Sequence, residues 1–169
     1  QGYQFEGADA SLELLLRRAF GEVEEPFTLE SFKLIVEKSV NRSVTSEAIV
    51  KLNVNGETVY TVADGNGPVN ALDNALRKAL EQFYPDIGTM HLSDYKVRVI
   101  DEKDATAAKV RVLIESSDFN NTWSTVGVSE NIIEASWEAL ADSFRYRLLG
   151  KSAANVSAPA RDRVGLVNH

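Results

Sequence analysis

The chain has 169 residues, with 18 Lys+Arg against 25 Asp+Glu for a formal net charge of −7 at pH 7, and no cysteine. That length suits one ordinary domain with a short extension, and a composition that is 44% hydrophobic excludes wholesale disorder. Without cysteine there is no disulfide scaffold, thiol chemistry or thiolate metal site; the acidic balance argues against nucleic acid, and no apolar run reaches the roughly 18 residues of a membrane span, so the sequence reads as a soluble, cytoplasmic, acidic globule.

The spacing predicts an opening helix over residues 9–20. Asp9 or Ser11 can cap it, Leu12, Leu15, Leu16, Ala19 and Phe20 form an apolar stripe, and Gly21 can end it. Glu22-Val23-Glu24-Glu25-Pro26 reads as an acidic connector, after which the period changes to two. Phe32, Leu34 and Val36 alternate with Ser31, Lys33, Ile35 and Glu37, the pattern of a half-buried strand. Ala48, Val50, Leu52 and Val54 alternate in the same way and run into Asn55-Gly56, then a returning strand over residues 58–63. Asn-Gly between alternating strands marks a hairpin, because a type I′ turn needs positive φ at both positions.

Asp64-Gly65-Asn66-Gly67-Pro68 breaks the sheet and launches a second helix, with Pro68 where a missing amide loses no hydrogen bond. Val69, Leu72, Leu76, Ala79, Leu80 and Phe83 line one face, and Tyr84-Pro85 stops it. Three more strands are predicted over residues 92–100, 109–114 and 122–128. A last helix follows, capped by Ser129, with Ile133, Trp137, Leu140, Phe144 and Leu148 on one face and its end at Gly150. Setting Asn131 over Asn70, 61 residues apart, superposes the two helices and repeats the strand order. The fold class is therefore α+β: a leading helix, then two βββα units related by a pseudo-twofold, with sheets packed against helices. The organisation reads as a leading linker helix over 1–26, a domain over 27–150 built from repeats 27–85 and 90–150, and a loose, small-residue-rich tail over 151–169.

Little in the chain speaks of catalysis. A Ser-His-Asp site would need His91, which begins a predicted strand, and no Gly-x-Ser-x-Gly elbow exists. There is no His-x-His, His-x-x-x-His or Cys cluster for a metal. Glu22, Glu24 and Glu25 read as a solvated connector and Asp101, Glu102 and Asp104 as a polar turn, so no catalytic residue and no metal ligand is assigned. The Gly65–Asn70 loop has neither the Lys-Ser/Thr of a P-loop nor a third glycine. It reads either as a tight strand-to-helix turn or as a helix N-terminus whose amides can receive one small carboxylate, such as that of an amino acid.

Three stretches together resemble a known family: Asp64-Gly65-Asn66-Gly67-Pro68-Val69-Asn70-Ala71, Leu92-Ser93-Asp94-Tyr95-Lys96-Val97-Arg98, and the run from Trp123 through Ser129-Glu130-Asn131 to Trp137. They resemble the C-terminal allosteric, dimer-forming domain of the 2-isopropylmalate synthase and citramalate synthase family. Gly2-Tyr3-Gln4-Phe5-Glu6-Gly7-Ala8-Asp9-Ala10-Ser11 is similar to the citramalate synthase branch.

The resemblance implies that residues 27–150 are a regulatory domain without catalysis of its own, a fragment of a longer protein. The parent would carry a TIM barrel that uses a divalent metal and condenses acetyl-CoA with a 2-keto acid such as pyruvate; this fragment would hold no cofactor. Its partners would be a second copy, that barrel and a branched-chain amino acid effector acting in feedback inhibition, isoleucine first and leucine next, with no nucleic acid and no membrane. The effector residues carried over are Gly67, Pro68, Val69 and Asn70, with Leu92, Tyr95 and Val99, then Ala105 and Ala107, and at the second loop Gly127 and Val128. Leu92 has the opposite parity to Tyr95 and Val99, so one strand face can present all three only through a bulge, or an interface must lie on both sides. The alternative is a purely structural dimerisation module.

Overall fold

Alternation at every second residue builds two separate antiparallel sheets. In this computed structural model, which describes residues 9–100 and 108–156 with side chains to 150, β1 (Thr28–Glu37), β2 (Thr45–Val54) and β3 (Glu57–Gly65) form one sheet in that order. β4 (His91–Ile100), β5 (Lys109–Ser117) and β6 (Thr122–Ser129) form the other. Helix α1 (Asp9–Ala19) leads, α2 (Pro68–Leu80) follows the first sheet, α3 (Ile132–Val156) follows the second, and a short 3-10 turn (Pro85–Thr89) joins the units. Among the described residues no helix is long and apolar enough to cross a membrane.

Ala48, Val50, Leu52 and Val54 of β2 are fully buried, and so are Ala71, Leu72, Ala75, Leu76, Ala79 and Leu80 of α2. Small alanines let the helix lie close to the sheet, while leucines fill the space beside it. Val112 and Ile114 of β5 are buried beneath Ala135, Ala139, Leu140 and Phe144 of α3 in the same manner. The predicted hairpin is present, with Asn55 at φ 53° and Gly56 at φ 81°. The units meet where the Phe32 ring stacks on Trp137, centroids 5.4 Å apart, and where the Arg77 guanidinium lies over Phe144.

The ladder fixes how the units correspond. Val50 pairs with Thr61 as Ile114 pairs with Thr125. Thr61 Oγ1 donates to the Ala75 carbonyl at 2.8 Å, and Thr125 Oγ1 donates to the Ala139 carbonyl at 2.6 Å. Equivalent positions in the second and third strands and the helices are thus 64 residues apart, not 61. A slip of three is close to one helical turn, so the apolar period matched either way and only the strand register could decide. Asn131 therefore corresponds to Gly67, and Trp137 to Asp73. The first strands correspond too, for both are bulged at the same rung, β1 between Leu29 and Ser31 and β4 between Leu92 and Asp94.

Three local expectations are corrected. Helix α1 buries Ala10, Ser11 and Leu14, while Leu12, Leu15, Leu16 and Phe20 are exposed, Phe20 at 75%. Small residues allow the close approach to β6 that leucines would prevent: Ser11 Oγ accepts the Val126 N–H at 2.8 Å, closing part of an edge strand instead of capping its own helix. The cap of α3 is Asn131, whose Oδ1 accepts the amides of Ile133 (2.8 Å) and Glu134 (3.4 Å); Ser129 supports it from behind, accepting from the Asn131 N–H. Helix α3 continues past Gly150 to Val156, since one glycine costs only about 1 kcal/mol and the following Lys151, Ala153 and Ala154 favour helix.

Two expectations about stability follow. A Cβ on Gly127 would fall inside the contact distance of the Ala135 carbonyl oxygen. Gly127→Ala should therefore push α3 from β6 and cost about 1–3 kcal/mol, measured by urea unfolding. Asp118 is partly buried, which alone would raise its pKa, but the amides of Asn120 (2.9 Å) and Asn121 (2.8 Å) and the Arg147 guanidinium outweigh that and hold it below the usual carboxylate range. A depressed folded-state pKa gives stability above the unfolded value of about 3.9 that is lost as pH falls through the folded one. Asp118→Asn should lower the melting temperature at pH 7 and converge on the parent near pH 2.

Candidate functional site

The bulge in β4 determines what its neighbours see. Leu92 faces Ser116, but after the slip Tyr95 faces Ile114, Val97 faces Val112 and Val99 faces Val110. The extra residue, Ser93, turns Leu92 onto the same face as Tyr95 and Val99, which resolves the parity conflict. Leu92 and Tyr95 are half-buried against the core, whereas Val99 stays 65% exposed further along the strand.

Between this strand and the first turns of α2 lies a cavity of about 540 Å³. Val69, Asn70, Asp73 and Arg77 line it from the helix, Gly88 and Met90 from the connection, and His91, Leu92 and Tyr95 from β4. Four of the residues expected at an effector site, Val69, Asn70, Leu92 and Tyr95, are thus brought together. Gly67 and Pro68 open the helix just ahead of the cavity without lining it, and Val99 is outside it. Gly127 and Val128 sit elsewhere, Gly127 against Ala135 and the Val128 amide on Glu138 Oε2 at 3.2 Å. Ala105 and Ala107 lie outside the described residues. Asp73, Arg77, Gly88, Met90 and His91 were not expected. A signal for Asp73 was present: it interrupts the stripe Val69, Leu72, Leu76, Leu80 with an acid on the buried face.

The internal repeat explains why space exists here. By ladder position Tyr95 corresponds to Phe32, and the residue opposite Phe32 is Trp137, whose counterpart is Asp73. An aromatic stack fills one side of the molecule; on the other the indole is replaced by a carboxylate and the volume stays open. The helix starts differ as well. Asn131 caps α3, but its counterpart Gly67 has no side chain, and the first turn of α2 has no side-chain cap.

Asp73 is only 7% exposed. Burial raises its pKa, with the charge and hydrogen bond of Arg77 pulling the other way. Arg77 Nη2 is 3.3 Å from Oδ1 and 3.5 Å from Oδ2, while its Nη1 donates to the carbonyls of Ile87 (2.9 Å) and Met90. The arginine thereby holds the connection that forms the cavity wall. Tyr95 reaches across to α3, its hydroxyl 3.0 Å from Ser136 Oγ, which itself donates to the Ile132 carbonyl. Among the described residues no group of three His, Cys, Asp or Glu is placed to hold a metal. The lining offers an apolar wall, one buried acid and one uncapped helix start, chemistry suited to holding a small molecule.

Residues 6–148 match the LeuA allosteric (dimerisation) domain. The chain belongs to this family. It is 55% identical to the (R)-citramalate synthase of Aquifex aeolicus over 150 residues, covering 88% of this chain and 28% of that protein. Identity to the (R)-citramalate synthase of Geobacter sulfurreducens is 54% over 149 residues, with the same coverage. The 2-isopropylmalate synthase of Aquifex aeolicus is 30% identical over 143 residues, covering 85% of this chain and 26% of that protein. The allosteric domain thus spans little more than a quarter of the length of these relatives.

The hydrogen bond from Tyr95 to α3 sets the expectation for this wall. Tyr95→Phe keeps the ring and loses that bond, so unfolding free energy should fall by about 1 kcal/mol in a urea titration.

Proposed function

We propose that this allosteric domain senses a branched-chain amino acid, isoleucine first and leucine second, in the cavity between α2 and β4. It does so as a homodimer and conveys feedback inhibition to the catalytic part of a citramalate or 2-isopropylmalate synthase. The observation that carries this reading is the replacement of the Trp137 position by Asp73, which leaves the cavity open beside Val69, Met90, Leu92 and Tyr95. Its volume is in the range of small-molecule sites. An aliphatic side chain buried there contributes roughly 1.5–3 kcal/mol, and a misplaced methyl discriminates by about 10–200-fold. On this reading the domain works in the cytoplasm and carries no cofactor, while condensation of acetyl-CoA with a 2-keto acid such as pyruvate, using a divalent metal, belongs to a barrel elsewhere in the parent protein.

One observation favours a second reading. Asp73 already has a counter-ion in Arg77, so the cavity is electrostatically tolerable when empty. The domain would then be a dimerisation module without an effector.

Isothermal titration with isoleucine, leucine and valine, with light scattering for mass, separates these. Saturable binding of isoleucine by a dimer is expected; a folded dimer that binds none of the three would leave only the structural module. A hundredfold excess of ligand over Kd should raise stability by about 2.7 kcal/mol. At Gly67 an added Cβ meets nothing within 4 Å and φ is −165°, ordinary extended backbone. Gly67→Ala should therefore change unfolding by less than about 0.5 kcal/mol while weakening isoleucine binding, because the methyl narrows the approach to the α2 amides. Equal losses in both would make its role conformational.

A further inference from the structure

Resting on the sensing reading, we infer that Asp73 is the receptor for the ligand's ammonium group, and that it makes the cavity select an amino acid over the 2-oxo acid of the same carbon skeleton. Isoleucine and 3-methyl-2-oxopentanoate share their branched tail and carboxylate, so the apolar wall of Val69, Met90, Leu92 and Tyr95 cannot tell them apart. They differ at Cα, where one carries a cation and the other a carbonyl dipole.

Among the described residues Asp73 is the one acid lining this cavity, and it is almost fully enclosed. Among the described residues its hydrogen-bond partner is Arg77, and both contacts come from the single nitrogen Nη2 at 3.3 and 3.5 Å, not from a two-pronged fork. A carboxylate can accept about four hydrogen bonds, so a buried one held by two long contacts retains unused acceptor capacity. Arg77 cannot turn to improve the pair without releasing the Ile87 and Met90 carbonyls that its Nη1 holds. An ammonium brings three donors to those vacant positions.

The opposite end of the ligand is accommodated as well. Asn70 and Asp73 are three residues apart on one helix face, about one turn. The start of α2 carries the positive end of the helix dipole and lacks a side-chain cap, so a carboxylate near Val69 and Asn70 leaves the ammonium directed at Asp73. A 2-oxo acid in the same pose would set a carbonyl oxygen against the carboxylate and repel it. The second unit shows the contrast, since at the position of Asp73 it has Trp137, an uncharged ring packed on Phe32.

The test is a two-by-two titration: the parent chain and Asp73→Asn, each with isoleucine and with 3-methyl-2-oxopentanoate. The parent should bind isoleucine at least tenfold more tightly than the oxo acid, and Asp73→Asn should bring that ratio close to one, mostly by weakening isoleucine. Thermal unfolding of the unliganded variant verifies its fold, and titration of the parent alone with 3-methylpentanoate, which lacks the amino group, supplies the same comparison without a substitution. Comparable affinity of the parent for isoleucine and 3-methylpentanoate, or an unchanged ratio in a folded Asp73→Asn, would overturn the assignment while leaving the sensing reading intact. If the parent binds none of isoleucine, leucine and valine, the sensing reading fails and this inference fails with it.

Discussion

The stack of Phe32 on Trp137 is the contact around which the two units are arranged. Each unit alone is a three-stranded sheet with a helix on one face, which leaves the far side of that helix in need of cover. Phe32 reaches from the first sheet to the helix of the second unit, so its ring is at once part of one layer and the lid of another. With that side closed by aromatic packing, the buried residues of both units merge into one continuous cluster. The geometry of the other side is then set, because the two helices cannot move independently.

Near-symmetry makes the exception informative. Where the repeat would place a second aromatic pair, it has Tyr95 and Asp73, and the tyrosine hydroxyl finds its partner on α3. One side of the molecule spends its large side chains on cohesion, and the other exchanges cohesion for an open cleft lined by Asp73. A protein with two identical sides would have either two stacks and no cavity or two cavities and a weak seam. The division of roles keeps the fold stable while leaving one place free for chemistry.

Much of the architecture could be read from the sequence because it is decided locally. The alternation of Ala48, Val50, Leu52 and Val54, the turn at Asn55-Gly56 and the helix start at Pro68 each follow from a few adjacent residues. What could not be read depends on distant partners. The apolar stripe of α1 pointed to Leu12, Leu15 and Leu16, but the face with Ala10 and Ser11 won because an edge strand had an amide to satisfy and only small residues allowed the approach. The correspondence of the repeats was misplaced by three residues because helices report a period and not a register. At the candidate site, parity within β4 already required an irregularity if Leu92 and Tyr95 were to act together, and the bulge supplies it. Asp73 and Arg77 escape a sequence reading because an acid and a base four apart on a helix have the pattern of a solvent-facing pair, against which the interrupted apolar stripe is a weak signal and burial in the fold the decisive one.

The matching bulges in β1 and β4 bear on how such a pocket can arise. Since the same kink occurs at the same rung of β1, beside the aromatic stack, the backbone shape at the site is a property of the repeat and not of ligand binding. The two units share a chassis, and the contrast between a sealed seam and an open chamber comes down to side chains, above all at the positions of Gly67 and Asp73. A scaffold of that kind can gain or lose a binding chamber by point substitution, with no strand or helix redrawn, and the equivalent position between α3 and β1 is one that Trp137 already occupies.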